Sequence, residues 1–172
     1  MKLLIASDIH GSAAWCRALM DRIDDTAPDK VVLLGDFLNH GPRNPLPDEY
    51  APKEVAAMLN GIADRIIAVR GNCDSEVDQM LLDFPCLADY ALLMDESCRT
   101  IFASHGHIYG PDSLPALAPG SIFMSGHTHI KTNEERDGIT LLNPGSTSIP
   151  KDGSNSYAVY DNGIITLHEL TR

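Results

Sequence analysis

The sequence predicts an α/β protein built of two packed β-sheets flanked by helices. Three observations point there. Short unbroken apolar runs, such as Leu3–Ala6, Val31–Leu34, Ile66–Val69, Ile101–Ala103 and Ile122–Met124, suit strands covered on both faces, because a strand with one wet face would alternate. The first three runs are separated by segments with helical apolar spacing, an order of β-α-β-α-β that implies parallel strands. The second half instead crowds strand-like segments together with short turns, "RDGI" and "DNGI" among them, which fits antiparallel neighbours and hairpins.

In chain order, the Leu3–Ala6 strand precedes a helix over Ser12–Asp25, whose Trp15, Ala18, Leu19 and Ile23 fall on one face. Val31–Leu34 is the second strand. A long irregular stretch follows at residues 39 to 52, "NHGPRNPLPDEYAP", with four prolines; a loop of that length within a compact unit is usually a lid or a binding loop. A second helix over Pro52–Ala63 presents Val55, Met58, Leu59 and Ile62, and leads into Ile66–Val69. The remaining strands are expected over Ala91–Met94, Arg99–Ala103, Ser121–Met124, Ile139–Leu142, Tyr157–Tyr160 and Ile164–His168. Met20, Met58, Met80, Met94, Phe84 and Phe123 read as core.

With 172 residues the chain is expected to form a single domain over 1–172, long enough to bury a core without disulfides. Its opening apolar run stops at Asp8 and no other approaches membrane-spanning length, so a soluble, cytoplasmic protein with no membrane partner is expected. Cys16, Cys73, Cys86 and Cys98 show no CxxC spacing and read as reduced thiols. A net charge of −11 argues against a stable nucleic-acid partner, since that affinity comes from Lys and Arg neutralising phosphates. GxGxxG, a Walker lysine and a GxSxG elbow are all absent.

What each strand runs into carries the chemistry. Leu3–Ala6 is followed by Asp8 and His10, Val31–Leu34 by Asp36, Ile66–Val69 by Asn72, Ile101–Ala103 by His105, and Ile122–Met124 by His127 and His129. Ligands in open α/β sheets bind outside the carboxyl ends of the strands. Two carboxylates, an amide and four imidazoles would then share one crevice, a donor set suited to divalent transition metals. Taken singly, an Asp after a strand is more often a helix N-cap and a His an ordinary polar residue; the joint placement favours a metal site.

Six motifs in order, "DIHG" at 8–11, "GD" at 35–36, "GNCD" at 71–74, "SHGH" at 104–107, "GHTH" at 126–129 and "NPGS" at 143–146, together resemble the calcineurin-like metallophosphoesterase superfamily over nearly the whole chain. The resemblance implies a four-layer sandwich of two mixed β-sheets flanked by helices. It also implies two divalent ions, with Mn²⁺ the first choice and Zn²⁺, Ni²⁺ or Fe²⁺ as alternatives. Asp8, His10 and His129 would hold one ion, Asn72, His105 and His127 the other, and Asp36 would bridge. The implied activity is hydrolysis of small phosphodiesters by attack of a metal-bridging hydroxide on phosphorus. Two dications against two carboxylates would make the site locally cationic, so that an anionic ester can enter an acidic protein.

Three residues at the site, Asn72 itself a ligand, are assigned catalytic work. Asn72 acts through the metal, Asp74 resembles an orienting partner of a neighbouring catalytic group, and Cys73 stands where many relatives carry histidine. A thiol is a weaker donor to a leaving group than imidazolium, which favours diesters with good leaving groups, such as aryl esters, over alkyl monoesters. His40 and Arg43 in the long loop, and His107, are the candidate substrate contacts; Lys131 would add a cation at the rim. "NPGS" is expected to make a tight turn beside the site. Two other functions fit the same motifs: a phosphomonoesterase of this fold, or a non-catalytic scaffold like the small retromer subunit, since fold alone does not establish catalysis. An open edge near Ile164–Leu170 would permit a homo-oligomer.

Overall fold

A computed structural model describes residues 1–172. In chain order the elements are β1 (Lys2–Ala6), α1 (Ala13–Thr26), β2 (Lys30–Leu33), α2 (Pro52–Asn60), β3 (Ile66–Ala68) and the single turn α3 (Glu76–Gln79), then β4 (Tyr90–Met94), β5 (Thr100–Ser104), β6 (Ile122–Met124), β7 (Lys131–Arg136), β8 (Ile139–Pro144), β9 (Ser156–Asp161) and β10 (Ile164–Glu169). They form two mixed five-stranded sheets, ordered β10-β9-β1-β2-β3 and β4-β5-β6-β8-β7. The last hairpin therefore returns to lie beside the first strand: β9 pairs antiparallel with β1, while β2 pairs with β1 in parallel.

Helix boundaries follow local chemistry. The Ser12 hydroxyl accepts the Trp15 N–H and so caps α1, which ends where Ala27 turns left-handed at φ 45°. Pro52 opens α2, where a missing N–H costs nothing. That helix stops at Asn60, short of the expected Ala63, because Gly61 follows and the chain tightens into a 3₁₀ turn over Ala63–Arg65.

Alternation along β1 divides its side chains between two cores. Leu4 and Ala6 face the helices, joining Leu19, Ile23, Val55 and Leu59. Leu3 and Ile5 face the second sheet, where Ile101, Ile122, Met124 and Leu142 meet them. Each such Leu or Ile, fully buried, contributes about 1.5–3 kcal/mol. Tyr160 of β9 lies in this inter-sheet layer, and its hydroxyl donates to the Asp95 carboxylate just beyond β4, tying one sheet to the other. The outer face of the second sheet is covered differently. Phe102, Phe123, Ile139 and Leu141 pack under Tyr109, Leu114 and Leu117 of a segment without helix, so the flanking layer is helical on the first sheet and irregular on the second.

Several sequence expectations are corrected. The strands β5, β6 and β8 run parallel to one another rather than as antiparallel neighbours; the antiparallel pairs are β1–β9, β4–β5, β7–β8 and β9–β10. The strand β7, "KTNEER", had no apolar signal because it is an exposed edge strand. Met80 and Met94 are 83% and 64% exposed, Met80 because it ends the short α3 at the surface and Met94 because it points outward from the edge strand β4. Phe84 and Phe123 are buried as expected. No helix is long and apolar enough to cross a membrane.

Candidate metal centre

The parallel strands of both sheets end at one rim, and the residues just beyond them are held by backbone bonds that cross from loop to loop. Asp8 N–H donates to Gly35 O (3.1 Å), His10 N–H to Asp36 O (2.9 Å) and Gly126 N–H to His105 O (2.8 Å). Ser146 of the turn after β8 donates its hydroxyl to Asp8 O at 2.9 Å, the role expected of "NPGS". Asp8 (φ 57°), His10 (50°), Asp36 (55°), His127 (65°) and His129 (61°) all adopt the left-handed backbone region. Non-glycine residues enter that region at a cost of about 1 kcal/mol or more each, and they do so at functional sites. Two glycines permit the close approach: a Cβ on Gly71 would overlap the Asp36 carboxylate, and one on Gly126 the Ser7 hydroxyl beside Asp8.

Three histidines are oriented by carbonyls. Nδ1–H of His10 donates to Asn39 O (2.8 Å), that of His105 to Leu34 O (2.6 Å) and that of His129 to Ile149 O (2.6 Å). In the neutral ring each Nε2 is then a bare lone pair, the arrangement that orients metal-binding imidazoles. These lone pairs point at other acceptors. His10 Nε2 is 3.4 Å from His129 Nε2, and Asp8 Oδ1 is 3.5 and 3.2 Å from the two. His105 Nε2 is 3.1 Å from Asn72 Oδ1 and 3.2 Å from His127 Nδ1. Asp36 Oδ2 stands between the two groups, 3.6 Å from both His10 Nε2 and His105 Nε2.

This arrangement lacks positive charge. Asp8 Oδ1 is buried and has no hydrogen-bond donor, while Oδ2 accepts from Ser7 Oγ (2.6 Å) and His127 N–H (3.1 Å). Burial would raise the Asp8 pKa, but His10 and His129 hold it well below the ordinary carboxylate value. Burial likewise opposes the charging of His10, yet Asp8 and Asn39 O pull its pKa upward; burial and His105 lower that of His127. A cluster of acceptors 3.1–3.6 Å apart matches donor atoms shared around ions at about 2.1 Å. The residues fit divalent cations, with mixed carboxylate, amide and imidazole donors.

The segment after β3 supports the shared carboxylate. Asp74 does not reach a site side chain; it accepts backbone N–H groups, from Asp36 (2.8 Å) and Gly71 (2.7 Å) on Oδ2 and from Phe37 (2.9 Å) on Oδ1. It thus holds the backbone around Asp36 rather than any side chain of the site. Burial and the nearby Asp36 push its carboxyl up to about 7, against the three N–H groups. Cys73 N–H donates to Asp36 Oδ1 (2.8 Å), and its sulfur accepts from Asn72 Nδ2 (3.2 Å). Burial, then Asp36, push the Cys73 thiol up to about 12.

A polar cleft of about 420 Å³ opens over the centre, lined by Asp36, Asn72, Cys73, His127 and His129 and, at its rim, by Arg43 and Lys151. A second cavity of about 360 Å³ adjoins it, sharing Arg43, Asn72 and Cys73 and adding Asn39. Asp8, His10 and His105 lie beneath, fully buried. The structure thus brings the seven expected ligands together. Of the expected substrate contacts only Arg43 lines the cleft. The His40 ring packs edge-on against Tyr50, with centroids 5.2 Å apart, and its carbonyl braces Asn44; His107 stands behind His105 at 5.3 Å. Lys131 is not a free rim cation, because Asp152 pairs with it at 2.8 Å. Lys151 and Asn44 line the cleft without having been singled out in the sequence, where no spacing or motif distinguishes them, and Thr128 joins them from between the two histidines of "GHTH".

Residues 1–163 match the calcineurin-like phosphoesterase superfamily domain. The chain is 49% identical over 171 residues to the phosphodiesterase YfcE of Escherichia coli strain K12, covering 99% of this chain and 92% of that protein. The solved structure of that E. coli phosphoesterase superposes with a TM-score of 0.94 at 44% identity, over 99% of this chain and 100% of the other. Vps29 of Entamoeba histolytica, solved in complex with Zn²⁺, shares the fold at a TM-score of 0.63 and 19% identity, over 98% and 97% of the two chains.

Proposed function

Because this chain belongs to the calcineurin-like phosphoesterase superfamily, we propose that it is a dinuclear metal-dependent phosphodiesterase acting on small phosphodiesters from a single domain spanning residues 1–172. The observation that carries this reading is the Asp36 carboxylate, whose Oδ2 stands 3.6 Å from an imidazole lone pair on each side. Asp8, His10 and His129 would hold one ion and Asn72, His105 and His127 the other, with Asp36 shared. Mn²⁺ is the expected occupant, and Zn²⁺, Ni²⁺ or Fe²⁺ suit the same donors. When bound, such a pair supplies Lewis acidity and a water acidic enough to attack phosphorus at neutral pH.

The chain's own groups do the rest. Backbone carbonyls fix three of the imidazoles, so little reorganisation is needed when an anionic ester arrives. The half-buried Cys73 thiol is a weaker proton donor for the departing oxygen than an imidazolium would be, so esters with good leaving groups should react fastest. The two cavities that meet at Asn72 and Cys73 give each ester arm of a diester its own space; a monoester needs only one. A scaffold role is disfavoured because every ligand position carries a competent side chain. Four free cysteines suit a reducing compartment, here the cytoplasm. The open edge of β10 leaves self-association available.

The test is metal analysis of reconstituted protein together with rates on 4-nitrophenyl phosphate and bis(4-nitrophenyl) phosphate. Two ions per chain, faster cleavage of the diester and loss of turnover on chelation are expected. One ion per chain, or turnover that survives complete chelation, would overturn the reading.

A further inference from the structure

An acidic protein has few cations to leave idle. Of the 13 lysines and arginines, Arg17, Arg22, Arg70, Arg99, Lys131, Arg136 and Arg172 are ion-paired, and Lys2, Lys30 and Arg65 donate to backbone carbonyls. The side chains of Arg43, Lys53 and Lys151 alone have no hydrogen-bond or ion-pair partner. Two of these three line the same cleft.

Their placement is built in. Arg43 belongs to a loop held by internal bonds, Asn39 Oδ1 accepting Gly41 N–H (2.8 Å) and Asn44 Nδ2 donating to His40 O (2.9 Å). The same loop accepts His10 Nδ1–H on Asn39 O at 2.8 Å. Lys151 N–H donates to His129 O at 3.0 Å. Each cation is thus carried by backbone tethered to a residue of the metal centre, and both reach a cleft lined almost wholly by polar residues. The charge of −11 repels anions at a distance, so two unpaired cations at one mouth mark where negative charge is wanted.

We propose that Arg43 and Lys151 form a second anion subsite beside the metal centre, selecting diesters that carry a further phosphate group on one ester arm. The guanidinium suits two phosphate oxygens at once and the ammonium adds a point charge. This subsite rests on the phosphodiesterase reading and names the substrate class for it: an ester charged at the scissile phosphate and again a few bonds away.

The probes are the dinucleotide TpT and its 5′-phosphorylated form pTpT, with Mn²⁺-loaded wild type and the R43Q/K151Q variant. Neither side chain has a partner to lose, so the variant should fold normally. In the wild type KM for pTpT should be about tenfold below that for TpT with similar kcat. In the variant that ratio should fall to about 1, and raised salt should shrink it in the wild type. Equal KM values in the wild type, or a preference that survives in the variant, would overturn the subsite. Should neither dinucleotide be cleaved, their alkoxide leaving groups are too poor for this site, the phosphodiesterase reading is judged on bis(4-nitrophenyl) phosphate alone, and calorimetric binding decides the subsite: tighter binding of pTpT that the variant abolishes supports it, and equal binding refutes it.

Discussion

The Asp74 carboxylate grips Asp36 by its backbone, accepting the Asp36 N–H at 2.8 Å, so the side chain that stands between the two acceptor groups is aimed by a second acid that never touches it. With Gly71 and Phe37 also donating to Asp74, an amide there would set an N–H₂ group against backbone donors. Asp74→Asn should cost about 1–3 kcal/mol in urea unfolding and weaken metal affinity by roughly 10–100-fold in chelator competition. Unchanged metal affinity would mean that Asp74 serves folding alone.

The left-handed backbone at His127, φ 65°, separates strain from ligation. His127→Gly and His127→Ala both remove the imidazole, but only glycine enters that region without a Cβ clash. In metal-free protein the Gly variant should be more stable than the Ala variant by about 1 kcal/mol, read from urea midpoints. Both should bind one ion fewer than the wild type. The opposite order of stability would show that the loop relaxes when the ring is lost.

Cys73 offers the clearest change of chemistry. A histidine there could supply imidazolium to the leaving oxygen, a contribution of roughly 10²–10⁴-fold where proton donation limits the rate. Cys73→His should therefore raise the monoester-to-diester rate ratio at least about tenfold. The Gly41 backbone lies against the Cys73 sulfur, where an added Cβ would come within 2.8 Å, so the larger ring must displace the 39–44 loop, and KM should move as well. A ratio that stays constant would reduce Cys73 to a space-filling residue.

The Tyr160–Asp95 bond between the sheets carries a pH signature. Hydrogen bonds from Ser97 and then Tyr160 hold the Asp95 carboxyl below its ordinary 3.8, so its contribution is complete above that value and fades as pH falls beneath it. Burial and Asp95 push Tyr160 from 10.0 up to about 12, so its contribution is complete below pH 10.0 and fades as pH rises toward 12. Tyr160→Phe should be less stable than the wild type by a constant margin between these limits, and the margin should narrow on either side. A deficit that ignores pH would trace to packing alone.

Much of this was legible because burial on both faces leaves its mark in unbroken apolar runs, and because β1, β2, β5 and β6 each end in a residue type that has little other reason to be there. Asp8, His10, Asp36 and His105 could be read that way. The strand β7 could not, since an exposed edge strand has no hydrophobic period to show. Lys151 was invisible for another reason: it owes its place to the hydrogen bond with His129, a contact that local sequence does not encode. The parallel course of β5, β6 and β8 was hidden by real hairpin turns nearby, which join other pairs.

The position of β9 beside β1 has a consequence for biosynthesis. Asp8 follows β1, made ahead of every other strand described, yet the strand that completes the pairing of β1 begins at Ser156, and Ser146, which steadies the Asp8 carbonyl, emerges only shortly before. A nascent chain halted ahead of β9 holds every ligand side chain but lacks half the frame of its central strand. Any ion held by these side chains should therefore be captured firmly only once β9 has been made.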